Sequence, residues 1–219
     1  MNIYLVVEGL AGAKMVYAHW VPLVNPDLRV RKNIDEVDQN SLWIVGGGGI
    51  PSYYQVIKAG AEDVASNESF DRLVVAIDSE DMPCHEKKSE IEELIDGLNF
   101  NIAYRVVVQH FCLETWFLGN RSIISRNSDV ECVRKYRGIY DVLDNDPELL
   151  PEVPENSLNR AQFAYKYLSC LINAKNPILR YKKNRPSFIL NDKYYNRVKE
   201  RFDETGHISS FGDFLMAFV

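Results

Sequence analysis

The chain has 219 residues, 46% of them apolar and 26% charged. That balance excludes a disordered chain and supports one domain with a full core, or a core with a small appendage. The 31 acidic and 25 basic side chains leave a net charge of −6, which argues against coating of nucleic acid or membrane by the whole surface and allows a local patch.

The first residues, Met1 to Glu8, have no basic stretch, and a carboxylate cuts their apolar run at once; a signal peptide has neither property. Residues 3–7 read as an unbroken apolar strand, the pattern of a strand buried on both faces of a parallel sheet. Residues 13–20 suit a short helix, and 28–34 a basic strand or loop. Residues 41–45 form a second buried strand, followed by the four glycines 46–49. Pro51 then opens a helix to about Ala65, since proline fits the first helical position. Residues 72–77 make a third strand and 87–97 a helix with Ile91, Leu94 and Ile95 inward and Gly97 as its stop. Residues 102–108 make a fourth strand, and 111–118 a helix closed by Gly119 and Asn120. This alternation predicts an α/β layer with a mostly parallel sheet flanked by helices over residues 1–122.

The pattern then changes to a smaller, mainly helical extension over residues 123–219. Residues 145–156 are rich in proline and acid and read as an exposed linker. Helices are expected at 157–173, 193–202 and 211–218. Cys84, Cys112, Cys132 and Cys170 are widely and irregularly spaced with no CxxC pair, so a disulfide framework is not expected. No apolar stretch approaches the roughly 18–20 residues of a bilayer span. A cytoplasmic protein that does not engage membrane is the expectation.

Open α/β sheets place their sites beyond the carboxyl ends of the strands. Here Val7 runs into Glu8 and Ile77 into Asp78, with Glu80 and Asp81 close behind. Carboxylates converging on one sheet edge repel, and a hard divalent cation, Mg²⁺ or Mn²⁺, is the simplest compensation. The competing account gives each acid only a local role beside a helix N-terminus.

The glutamate closing the first strand, Val6-Val7-Glu8-Gly9, and the acids closing a later one, Ile77-Asp78-Ser79-Glu80, resemble the Toprim family. That catalytic fold is shared by topoisomerases, bacterial primases and nucleases of the overcoming-lysogenisation-defect type. The resemblance covers about residues 1–120. It implies that Glu8, Asp78 and Glu80 or Asp81 hold Mg²⁺, and that Glu8 also acts as a general acid or base in strand breakage. Glu80 stands where the family has a second aspartate, so Glu80 and Asp81 remain alternatives as the ligand.

Glu114 sits in a very apolar segment, Phe111 to Leu118, and an unpaired buried carboxylate costs several kcal/mol. It is either a further metal ligand or one half of a salt bridge that fixes the extension. Segments of this kind resemble those of small Toprim-like proteins of bacterial defence and mobile-element loci. By that resemblance an ATPase partner subunit is implied.

Gly47 and Gly48, in the glycine run, suit either a phosphate-receiving loop or a bare tight turn; neither GxGxxG nor a Walker loop is present. Residues 175–201 carry nine basic and two acidic side chains, with Tyr181, Tyr194 and Tyr195 interleaved. Charge with aromatics suits a phosphate backbone and unstacked bases, with Lys182, Lys183 and Arg185 as the backbone holders. A solvated face or a dock for an acidic partner is the competing account. His19, His85, His110 and His207 have no structural-zinc spacing. The resulting expectation is a Mg²⁺-dependent Toprim-like nuclease acting on DNA or RNA. Its rivals are a non-catalytic Toprim-like subunit that binds a partner or nucleotide, and a nucleotide-hydrolysing enzyme using the glycine loop.

Overall fold

Five short strands, β1 (Ile3–Val7), β2 (Arg29–Val30), β3 (Ser41–Gly46), β4 (Arg72–Asp78) and β5 (Tyr104–Gln109), form one sheet in the order β2-β3-β1-β4-β5. This is a computed structural model, which describes residues 1–153 and 158–219. Every pairing is parallel, as the unbroken apolar strands require, because a parallel strand is covered on both faces. The expected α/β class with a parallel sheet, flanking helices and a helical C-terminal region is the observed one.

Strand alternation divides the core in two. Ile3, Leu5, Val7, Val74, Ala76 and Val107 face one layer, with α1 (Gly12–Val24) and the C-terminal helices. Tyr4, Val6, Leu73, Val75, Ile77, Val106 and Val108 face the other, with α2 (Ser52–Ser66) and α3 (Cys84–Asp96). The first cluster runs without a break from β1 to Phe218. The C-terminal helices thus share with α1 the cover on one face of the sheet.

The helices follow their apolar periodicity, with informative differences. The apolar segment after β5 is helical only over α4 (Leu113–Phe117); Phe111 has φ of +64°, a left-handed conformation that a helix cannot include. The basic stretch 28–34 keeps only the two residues of β2, both exposed. A helix absent from the sequence reading, α5 (Glu131–Ile139), buries Val133 and carries four charged side chains, Glu131, Arg134, Lys135 and Arg137. The helix expected from Ser157 is α6 (Arg160–Lys175), begun by an Asn159–Gln162 capping box; Ser157 itself lies outside the described residues. The last two are α7 (Asp192–Thr205) and α8 (Ser209–Ala217).

Two expectations need correction. Residues 145–150 are no exposed linker: Pro147, Glu148 and Leu150 are buried, and Glu148 accepts hydrogen bonds from the Ser210 amide (3.1 Å) and the Ser209 hydroxyl (2.9 Å) at the start of α8. Residues 154–156 of that stretch lie outside the described residues. Cys132 and Cys170 form a disulfide between α5 and α6, which a sequence separation of 38 does not disclose. Among the described residues no helix is long and apolar enough to cross a membrane.

Candidate functional site

The carboxyl edge of the sheet is where the acids meet. β1 and β4 are hydrogen-bonded neighbours in parallel register, with Val7 opposite Ala76, so Glu8 and Asp78 leave the sheet at the same edge. The Asp78 amide donates to Glu8 Oε2 at 3.1 Å, and the Glu8 amide to the Ala76 carbonyl at 3.2 Å. Tyr53, fully buried on α2, fixes both strands from below: its hydroxyl reaches the carbonyls of Ala76 (2.8 Å) and Val6 (3.2 Å).

Above this edge lies a cavity of about 410 Å³, within the usual size of small-ligand sites. Glu8, Asp78, Glu114, Gln109 and Lys183 all line it, together with Gly48 and Gly49 and the loop that leads into α1. The α1 N-terminus at Gly12 and Ala13 forms part of the wall; it has no capping side chain and no acid in its first turn. Its first amides are thus available to an anion. A Cβ on Gly12 would stand 1.6 Å from the Lys183 carbonyl oxygen, so glycine alone lets the segment around Lys183 close against α1.

The electrostatics follow from burial. Asp78 is held well above the usual aspartate range by burial, then by the charges of Glu8 and Glu114, against Lys183 and the Leu113 amide. Glu8 is also raised, by burial first; the Asp78 amide opposes this, Glu80 adds to it, and Lys87 and Lys183 oppose it. Glu114, 3% exposed, accepts from the Tyr181 hydroxyl at 2.9 Å and lies 3.4 Å from Lys183 Nζ. Burial pulls the Lys183 ammonium down; Glu114, with Cys112 and Asp78, outweighs it, and the group lies above the usual lysine range. Glu114 thus forms a salt bridge to the C-terminal region and also lines the cavity.

Other expected residues stand elsewhere. Glu80 has φ of +51° and is exposed, outside the cavity lining. The cause is a sharp turn after β4, in which the Glu80 amide donates to the Phe111 carbonyl and the Phe111 amide to Ser79 Oγ, both at 2.9 Å. Asp81 is also turned outward, 3.7 Å from Arg160. Gly47 lies against the Tyr53 ring, while Gly48, at φ +73°, reaches the cavity.

Of the basic side chains of the segment 175–201, Lys183 is the one in the cavity lining, beside Tyr181, Asn184 and Pro186; Lys182 and Arg185 stand exposed next to it. Tyr194 and Tyr195 are core residues outside the cavity lining, and Tyr181, also buried, meets the cavity wall. Arg201 is buried and donates to the carbonyls of Val142 and Asn145, both at 2.7 Å. Arg197 and Lys199 pair with Glu200 and Asp203 on their own helix. The segment is therefore not one continuous basic face.

The donor set fits a small hard cation of limited protein ligation. Among the described residues no three His, Cys, Asp or Glu side chains group as a metal cluster. Mg²⁺ usually takes one or two carboxylates, and waters and substrate phosphate complete its shell. Glu8 and Asp78 supply such a pair; burial first, with neighbouring carboxylate charge adding to it, raises the proton affinity of both. The sequence reading missed Gln109 and the α1 N-terminus. Gln109 had a signal: like Glu8 and Asp78, it is a polar residue closing an apolar strand. Compared with family models, curated proteins and solved structures, the chain matches none.

Proposed function

We propose that the chain is a Mg²⁺- or Mn²⁺-dependent phosphodiester hydrolase of Toprim-like type, acting on DNA or RNA. The observation that carries this is the meeting of Glu8 and Asp78 on one sheet edge, inside a cavity that also holds a lysine and an uncapped helix N-terminus. Glu8 and Asp78 would hold the cation, with Glu114 beside them as the partner of Lys183. A divalent ion bound there polarises a phosphoryl oxygen and lowers the pKa of a bound water.

The protein's own groups do the rest. The α1 amides and Lys183 receive phosphate oxygens. Lys182 and Arg185, exposed next to Lys183, extend that grip along a nucleic-acid backbone. Glu8, with its carboxyl raised by burial, is the group suited to hold or move a proton. The defence setting and an ATPase partner subunit belong to the same proposal and rest on the resemblance.

A second reading has its own observation. Glu80 and Asp81, the acids of the altered motif, both stand outside the cavity lining, which favours a non-catalytic subunit that keeps the pocket for a nucleotide or a partner. Labelled single- and double-stranded DNA and RNA, incubated with and without Mg²⁺ or Mn²⁺, separate the two. Metal-dependent cleavage that falls about a hundredfold or more in Glu8→Gln and Asp78→Asn is expected. Cleavage indifferent to Glu8→Gln places the activity elsewhere. No cleavage, with nucleotide still bound, supports the second reading.

A further inference from the structure

The last residue of β5 presents a buried amide that the protein uses at one end only. Gln109 is 3% exposed and lines the cavity. It is the register partner of Asp78 on the neighbouring strand, so the two side chains leave the sheet on the same face. Its Nε2 donates to the Tyr17 hydroxyl, while its Oε1 has no hydrogen-bond partner among the described residues. Buried polar atoms are nearly always paired, and an exception at a cavity points to an occupant.

What the atom wants is a donor or a cation. We propose that Gln109 Oε1 is the neutral oxygen of the cation position, taking a hydrogen from water bound to a divalent ion held by Glu8 and Asp78. This rests on the cation reading above. An amide oxygen suits the place because a third carboxylate would add to the repulsion that Glu8 and Asp78 already exert on each other. Hard divalent ions accept amide carbonyls and retained waters together, and groups that orient those waters tune affinity. The bond to Tyr17 keeps the amide from swinging away: Tyr17 is 1% exposed and wedged against Trp116 and Phe214.

Titration of Mn²⁺ into the purified full chain, followed by the spin-resonance signal of the free ion, tests this without reference to activity. Gln109→Met keeps the bulk and removes the acceptor; a loss of about tenfold in Mn²⁺ affinity is expected. Tyr17→Phe keeps the acceptor and loosens only its anchor, so its loss of Mn²⁺ affinity should be clearly the smaller, about threefold or less. Equal losses in Gln109→Met and Tyr17→Phe would mean that packing alone is at work and would overturn the inference, as would unchanged binding in Gln109→Met. Should Gln109→Met not fold, Gln109→Glu carries the test: the added charge should tighten Mn²⁺ severalfold, and unchanged or weaker binding overturns the proposal. If the parent chain binds no Mn²⁺, the cation reading falls and takes this inference with it. If the parent binds and Glu8→Gln does not, a null result at Gln109 counts against Gln109 alone.

Discussion

Asp78 is stabilised in its protonated form by the fold, and that makes it a measurable liability. Its folded carboxyl lies well above the ordinary 3.8. The folded chain therefore binds this proton more tightly than the unfolded chain. The stability linked to this group is greatest below about pH 3.8, declines as pH rises through the folded value, and stays reduced above it. Asp78→Asn should consequently raise the melting temperature at pH 7 in the absence of divalent ions, by roughly 2–4 °C for about 1 kcal/mol. The gain should vanish near pH 3.5. Added Mg²⁺ should stabilise the parent chain and leave Asp78→Asn unmoved; thermal melts across pH, with and without the ion, check each arm. The same rule that pointed to Asp78, a polar residue ending an apolar strand, also describes Gln109, so that residue was within reach of the sequence. The direction of Glu80 was not. It depends on a left-handed residue in a turn that β5 and the Phe111 backbone stabilise from about 30 residues away.

Elements show a different division. Apolar runs and caps gave the strands and most helices, because each signal is local. Pairings between distant elements carry no such signal. Glu148 illustrates this: it caps the start of α8 from 61 residues upstream, and the Ser210 hydroxyl between them accepts from Trp116 Nε1 at 2.7 Å while donating to the carboxylate. Ser210→Ala would leave a buried indole N–H and part of a buried carboxylate unsatisfied. We expect a loss of about 1–3 kcal/mol, read as a lower urea midpoint at unchanged slope. The disulfide is a second such pairing. Joining α5 to α6 across 38 residues, it should contribute about 3–4 kcal/mol on the loop-closure account. Dithiothreitol should lower the melting temperature of the parent chain, and Cys132→Ala with Cys170→Ala should melt at the reduced value under both conditions. Charge, by contrast, misleads at this scale. The run 175–201 reads as one basic face, yet its tyrosines and Arg201 are needed inside, and Arg197 and Lys199 pair with acids of their own helix.

At the scale of the molecule, composition and strand–helix alternation were enough to give the parallel sheet. They did not reveal that the sheet depends on the C-terminal helices for part of one of its two covers. Phe211, Phe214 and Phe218 of that region share a cluster with Ile3, Leu5 and Val7, and Arg72 at the start of β4 donates to the carbonyls of Ala217 (3.0 Å) and Val219 (3.2 Å). Residues 1–122 expressed alone should therefore expose a broad apolar face and associate or stay molten. The full chain should unfold in one transition by both near- and far-ultraviolet circular dichroism. A fragment 1–122 that melts cooperatively as a monomer would contradict this.

Gly12 has a consequence in time as well as in space. The wall it shares with the Lys183 carbonyl joins one residue to another that the ribosome adds long after it. A ribosome has synthesised Glu8, Asp78, Gln109 and Glu114 well before it adds the cation that neutralises Glu114. Until that late stretch arrives and settles on α1, the four polar groups have no shared chamber, and a half-made chain has the ingredients of chemistry without a vessel to run it in.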